Sequence, residues 1–316
     1  MSGLQPPVPA GAPAGARAII RPRTGRVTFN RNSVETRVFG VLRWVAIGFF
    51  VLFTVLPFYY MLVLSVRSIE SVAFDPGALI VSARDFTLNS YAAVFRSVDD
   101  GGQGFLEFIK NSAIVAVATV ALSLGIAIPG AYAISRLQFF GRRQIHFFFL
   151  AIYLFPSILL AIPLFVIFSK LGFRGSLVGL VIVYASQTVA VTIHMLRNYF
   201  NSVPVSLEEA AATDGASRFQ IIWKISLPLA RPAIMATGLF VFMIAWNEFL
   251  FALLFLVDHR ELWTVSLGLS QLAGSIEVAK TTLIAGSVVL TLPIVLLFFF
   301  TERFLVAGLT AGAEKG

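Results

Sequence analysis

Six stretches of this chain run uncharged, or nearly so, for about 20 residues or more, the length a helix needs to cross the roughly 30 Å hydrocarbon core of a bilayer. They lie between Arg43 and Arg67, Lys110 and Arg136, Arg143 and Lys170, Arg174 and Arg197, Arg231 and Asp258, and Lys280 and Glu302. One charge, Glu248, interrupts the fifth. Buried helices of soluble domains rarely run this far without a charge. The pattern therefore predicts an all-α integral membrane protein with six transmembrane helices, at about 44–66, 111–135, 144–169, 175–196, 232–257 and 281–301. Composition agrees. Only 13% of residues are charged, about half the soluble norm, and the mean hydropathy is +0.86. This argues against a soluble enzyme and against disorder over most of the length. The absence of cysteine removes disulfides, thiolate metal sites and thiol catalysis. His146, His194 and His259 stand singly without metal-ligand spacing, so no metal site is expected.

Six spans put both termini on one side. Segments 1–43, 136–143, 197–231 and 302–316 hold 16 Lys/Arg and 6 Asp/Glu; segments 67–110, 170–174 and 258–280 hold 8 and 9. The positive-inside rule makes the first set cytoplasmic, with the N and C termini. The net charge of +8 thus speaks of topology rather than of nucleic acid. Residues 1–43 read as a flexible basic arm, topogenic and able to meet anionic membrane lipid. The first apolar run is too long and starts too late for a cleaved signal peptide. The outer segment 67–110 is expected to hold short helices at Asn89–Phe95 and Phe105–Ile109. The Gly/Ala-rich tail 303–316 reads as an unstructured end.

The segment 203–231 is the most polar stretch between two spans, and its local signals are dense. Ser206 with Glu209 forms one capping box and Ser217 with Gln220 another. Glu208 and Glu209 suit the positive end of the first helix, and Ala210, Ala211 and Ala212 favour its continuation. Asp214-Gly215 breaks it. Phe219, Ile222 and Trp223 make an apolar stripe on the second helix, which Pro228 is expected to end, with Leu227 outside it. Pro232 can open the fifth span. The stripe either docks a partner or packs back on the spans.

The run Glu209-Ala210-Ala211-Ala212-x-Asp214-Gly215, followed after nine intervening residues by Ile225-x-Leu227-Pro228, resembles the EAA motif of ABC-importer permeases. The stretches IPLFVIFSKLG (162–172), PVSLEEAAATDGAS (204–217), AWNEFLFAL (245–253) and VAGLTAGAEKG (306–316) are similar to the sugar-uptake branch, especially the smaller permease of maltose- or trehalose-type importers. The resemblance covers most of the chain beyond the basic arm. It implies a type I importer bundle in a bacterial or archaeal cytoplasmic membrane. It also implies a non-catalytic subunit that takes up a di- or oligosaccharide. The implied partners are a second homologous permease, two ABC ATP-binding subunits that carry ATP and Mg, and an extracytoplasmic sugar-binding protein. This chain would bind no cofactor itself; the nearest string to a phosphate-binding loop, Gly274 to Thr281, lacks the second glycine. By resemblance the loop is a coupling helix seated on the ATPase, with Glu208, Glu209, Arg218, Phe219, Trp223 and Ile225 among the docking residues. Gly215 would set its turn, and the tail would reach toward the ATPase.

Glu248, flanked by Trp246 and Asn247, is an ionisable group at membrane depth, which is costly unless it faces a bundle interior or a wet cavity. Two readings stand: these residues, with Gln187, line a sugar path, or Glu248 bonds across helices to Gln187 or Ser186. Pro156, Pro163 and Pro293 are expected to bend their helices. In the outer segment 258–280 the resemblance points to a loop facing the binding protein, with Ser270, Gln271, Gly274 and Ser275 at its tip. The rival readings are an ABC permease for another cargo (a sugar phosphate, polyol or peptide), an ion-coupled carrier using Glu248, and a membrane enzyme, for which no catalytic constellation is present.

Overall fold

The computed structural model describes residues 31–313, and among these it contains helices but no strand. The described residues fall into two units, divided between Val55 and Leu56. In chain order the helices are α1 (Arg31–Ser65), α2 (Ile69–Phe74), α3 (Asn89–Phe95), α4 (Phe105–Arg136), α5 (Arg142–Leu154), α6 (Ser157–Lys170) and α7 (Leu177–Ser202). They continue with α8 (Val205–Thr213), α9 (Arg218–Ile221), a π turn (Ile222–Ser226), α10 (Leu227–Leu229) and α11 (Arg231–Asn247). The last are α12 (Leu250–Leu256), a 3₁₀ turn (Arg260–Leu262), α13 (Val265–Ala273) and α14 (Lys280–Ala313).

Four described helices are long and apolar enough to span a bilayer: α1 from Val38, α4, α7, and α14 to Glu302. A fifth candidate is the pair Arg218–Leu229 and Arg231–Asn247, bent by 71°. The third apolar window is two helices, broken at Phe155–Pro156. Pro156 has no N–H to continue α5 and instead precedes α6 in an extended conformation. The fifth window is likewise broken, between α11 and α12 at Glu248 and Phe249.

In the first unit, α1 turns Trp44 and Phe53 outward, at 70% and 71% exposed, a surface suited to lipid rather than water. In the second unit α4 and α7 form the central pair, joined by a buried Ser123–Thr188 hydroxyl contact of 2.8 Å. α11 packs on α4, α7 and α14. Small residues allow the close approach: Ala127 and Ala131 on α4 are fully buried. Two apolar cores result. One gathers Phe105, Tyr184, Trp246, Phe255 and Trp263; the other, toward segment 203–231, gathers Tyr132, Ile193, Leu196 and Phe200.

Several local expectations change. Residues 31–43 of the expected arm are already helical in α1, and 1–30 lie outside the described residues. Phe105–Ile109 is not a separate outer helix but the first turns of α4, because nothing after Gly104 interrupts the apolar periodicity. Asn89–Phe95 is a helix as expected. The tail is helical through Ala313, since Gly308 and Gly312 inside a run of Leu, Val and Ala do not stop a helix already nucleated. Only 314–316 of it lie outside the described residues.

Candidate functional site

Segment 203–231 folds into two helices joined by one sharp turn. α8 opens at Pro204, whose ring holds φ at −58°, and not at Ser206. The first capping box is therefore not formed. Arg136 takes the Val203 carbonyl at 2.9 Å and fixes the chain a turn earlier, which draws Ser206 into the helix. The second box forms as expected: the Ser217 hydroxyl accepts from Gln220 N and the Gln220 side chain accepts from Ser217 N at 2.8 Å. Between the helices Gly215 sits at φ +84°, the left-handed region that excludes most side chains.

Pro228 does not end the second helix, and Leu227 is not pushed out of it. Leu227 is helical at φ −68° and ψ −45°. The turn before it is widened to π geometry, with Leu227 N–H reaching back to Ile222 O. Widening moves the carbonyl that a proline ring would strike, so helix continues to Leu229. The break comes at Ala230, and Pro232 stands in the first turn of α11 as expected.

The segment is anchored by a buried network centred on Glu208. Arg136 Nε, at the end of α4, donates to Glu208 Oε1 at 3.0 Å, and Ser226 Oγ in the π turn donates to the same oxygen at 2.9 Å. Tyr132 Oη donates to Glu208 Oε2 at 3.1 Å. Both partners of the ion pair are about one-tenth exposed. Glu208, read from the sequence as a docking residue, thus points inward and ties α8, the π turn and α4 together. Nothing local in the sequence marks Arg136, Tyr132 or Ser226, which lie 72, 76 and 18 residues from Glu208. On the outer side Glu209, Ala210, Ala212, Asp214, Gly215 and Arg218 are exposed, and Ala211 and Ile225 are half-buried.

The apolar stripe divides. Ile222 packs into the core beside Tyr132 and Phe200, whereas Phe219 and Trp223 stay 69% and 58% exposed as a tilted ring pair. They border an apolar groove of about 420 Å³ with Leu124, Ile128 and Pro129 of α4.

Glu248 lies at the α11–α12 break. Its carboxylate accepts from Phe251 N at 3.0 Å and Ala252 N at 3.3 Å, so it caps α12, and it accepts from Tyr184 Oη of α7 at 2.5 Å. The interhelical bond is therefore to Tyr184, not to Gln187 or Ser186; Ser186 gives its hydroxyl to Val183 O. Gln187 lies one turn further along α7, with its buried Nε2 lacking a partner among the described residues. Trp246 belongs to the core: it is buried, stacks on Phe242 and donates to Leu290 O at 2.9 Å. Asn247 is exposed and bonds back to Met243 O.

The outer segment 258–280 is more ordered than its composition suggests. Asn111 of α4 donates to the carbonyls of Glu261 and Trp263, and Ser112 accepts from Val265 N. Gly268 of α13 meets Phe108 so closely that a Cβ there would stand 2.4 Å from the ring. Ser270 and Gln271 are on this helix, and the loop tip is shifted to 274–279, where Ile276 is fully exposed.

Residues 125–307 match the family described as binding-protein-dependent transport system inner membrane component. The chain belongs to this family. It is an inner-membrane permease of the ABC transporter type. The permease is 36% identical over 290 residues to the trehalose/maltose transport system permease protein MalG of Thermococcus litoralis, covering 90% of this chain and 99% of that one. It is 35% identical over 271 residues (85% and 94%) to the inner membrane ABC transporter permease protein YcjP of Escherichia coli. The fold is similar to a chain from the crystal structure of a bacterial ABC transporter importing the acidic polysaccharide alginate. There the TM-score is 0.72 and the identity 26%, with 85% of this permease and 97% of that chain covered.

Proposed function

We propose that this permease carries a di- or oligosaccharide of maltose- or trehalose-like type across the cytoplasmic membrane as one subunit of an ATP-driven importer. Trehalose, maltose and maltodextrin permeases among its relatives support the cargo class. The complex would contain a second homologous permease, two ATP-binding subunits and an external sugar-binding protein, with six spans and both termini cytoplasmic. The ATPase would seat on segment 205–226 and pass its closure to the spans.

One observation carries the coupling role. Glu208 is bolted inward to α4, while Glu209, Ala210 and Ala212 beside it are exposed. A rigid lever needs both: a fixed joint to the spans and a free face for the motor. Purification from native membrane in mild detergent should bring an ATP-binding subunit, a second permease and a solute-binding protein, identified by mass spectrometry. Uptake of labelled trehalose or maltose by proteoliposomes of that complex should require ATP. A chain recovered alone after gentle crosslinking, or uptake driven by a sodium or proton gradient without ATP, would overturn the importer reading.

A further inference from the structure

Away from the coupling segment, at the same end of the helices, a cleft of about 440 Å³ opens where α4, α5 and α7 meet. Arg142, Arg143, Gln144 and Arg197 line it together with Phe139, and among the described residues no carboxylate lines it. Arg142 Nη2 is braced on Ser135 O at 3.0 Å, which holds that side chain at the cleft wall. The cleft also receives the start of α5, a 13-residue helix. Gly141 precedes that helix at φ +84°, no side chain caps it, and its first turn carries no acid. Three arginines and the positive end of a helix dipole thus border one cleft.

The surface beside the cleft is strongly apolar. Phe140 is fully exposed, and Phe147 and Phe148 are 69% and 68% exposed. On α5 Phe147 stands one turn beyond Arg143 and Phe148 one turn beyond Gln144; Ile152 and Leu154 continue outward-facing along the helix. A cationic cleft at a helix end, joined to an apolar strip running along the span, fits an amphiphile. The strip has no purpose for a small soluble anion.

We infer that this cleft binds the phosphate of an anionic phospholipid, with acyl chains along the exposed face of α5. Basic pockets between membrane helices on the positively charged side are suited to such headgroups. The inference rests on the membrane reading of the chain and is independent of the transported cargo.

The test uses the permease within its intact complex, in mild detergent, with equal amounts of phosphatidylglycerol and phosphatidylcholine. Native mass spectrometry should show phosphatidylglycerol retained preferentially. Arg143 is exposed, so Arg143→Gln should leave assembly and uptake intact while lowering that retention about fivefold. Arg142→Gln together with Arg143→Gln should lower it further, and Arg143→Lys should restore most of it. Arg84→Gln, at an exposed position of the outer segment, should change nothing. Equal retention of the two lipids, or retention insensitive to Arg143→Gln, overturns the inference. Displacement of a bound anion by millimolar inorganic phosphate with no preference between headgroups would assign the cleft to a soluble ion instead.

Discussion

Glu208 and Glu248 are both carboxylates drawn inside this permease at a junction between helices, but they are held by different means. Glu208 faces a cation: Arg136 neutralises it, and Tyr132 and Ser226 fill its remaining acceptor positions. Glu248 is held by a tyrosine hydroxyl and two backbone amides. The first arrangement is a joint between distant segments. The second is a helix cap that also ties α7 to the α11–α12 break. An ion pair resists separation but leaves a stranded charge if one side is lost. A cap tolerates a neutral replacement that keeps its acceptor oxygen.

The comparison breaks most visibly at Glu208→Ala. Arg136 would be left buried without its partner, and removing one side of a buried pair costs about 3–5 kcal/mol. The expected outcome is a large fall in the melting temperature of the detergent-purified complex, or loss of the chain from the membrane. Glu208→Gln keeps the shape and should cost less. A wild-type melting temperature in Glu208→Ala would mean that the joint is not structural.

Glu248→Ala removes the Tyr184 acceptor and the α12 cap together, and unsatisfied buried groups cost about 1–3 kcal/mol each. Glu248→Gln keeps an oxygen for Tyr184 or the amides and should lose about 1 kcal/mol. If Gln behaves as badly as Ala, the negative charge itself matters, and the contrast with Glu208 disappears. Altered sugar affinity in Glu248→Gln at unchanged stability would instead favour the transport-path reading of Glu248, Asn247 and Gln187.

Gly215→Val tests the lever rather than the joint. A Cβ at Gly215 meets no atom within 4 Å, so the only obstacle is the backbone at φ +84°. A β-branched residue there costs about 1–2 kcal/mol and displaces the turn. Sugar-stimulated ATPase activity should fall while the permease still inserts. Gly215→Asn, which tolerates the left-handed region, should recover much of it. Undiminished uptake in Gly215→Val would show that the turn does not transmit motion.

How much of this was legible follows from range. The turn at Gly215, the Ser217–Gln220 box and the Pro232 start are decided by neighbours in the chain, and they read directly. The Arg136–Glu208 and Tyr184–Glu248 bonds span 72 and 64 residues. They depend on which faces of α4, α7 and α11 meet, and a charge count cannot supply that. Pro156 was visible as a helix breaker, but only the fold shows two short helices where one span was expected. The ordered outer segment was hidden because its polar residues and Gly268 look like loop until Phe108 and Asn111 are set against them.

The smallest effect discriminates most finely between sequence pattern and structure. Ser206 and Ser217 each stand three residues before a Glu or Gln, so the sequence treats them as equivalent caps. Only Ser217 accepts from the N3 amide; Ser206 lies inside α8, where Pro204 has already set the start. Ser217→Ala should therefore cost about 1 kcal/mol. Ser206→Ala should stay within about 0.5 kcal/mol, as an exposed substitution away from any cap does. Thermal unfolding of the two variants in parallel measures the difference. Equal losses would place the start of α8 at Ser206 and would move Glu208 along the helix relative to Arg136, undoing the geometry on which the joint depends.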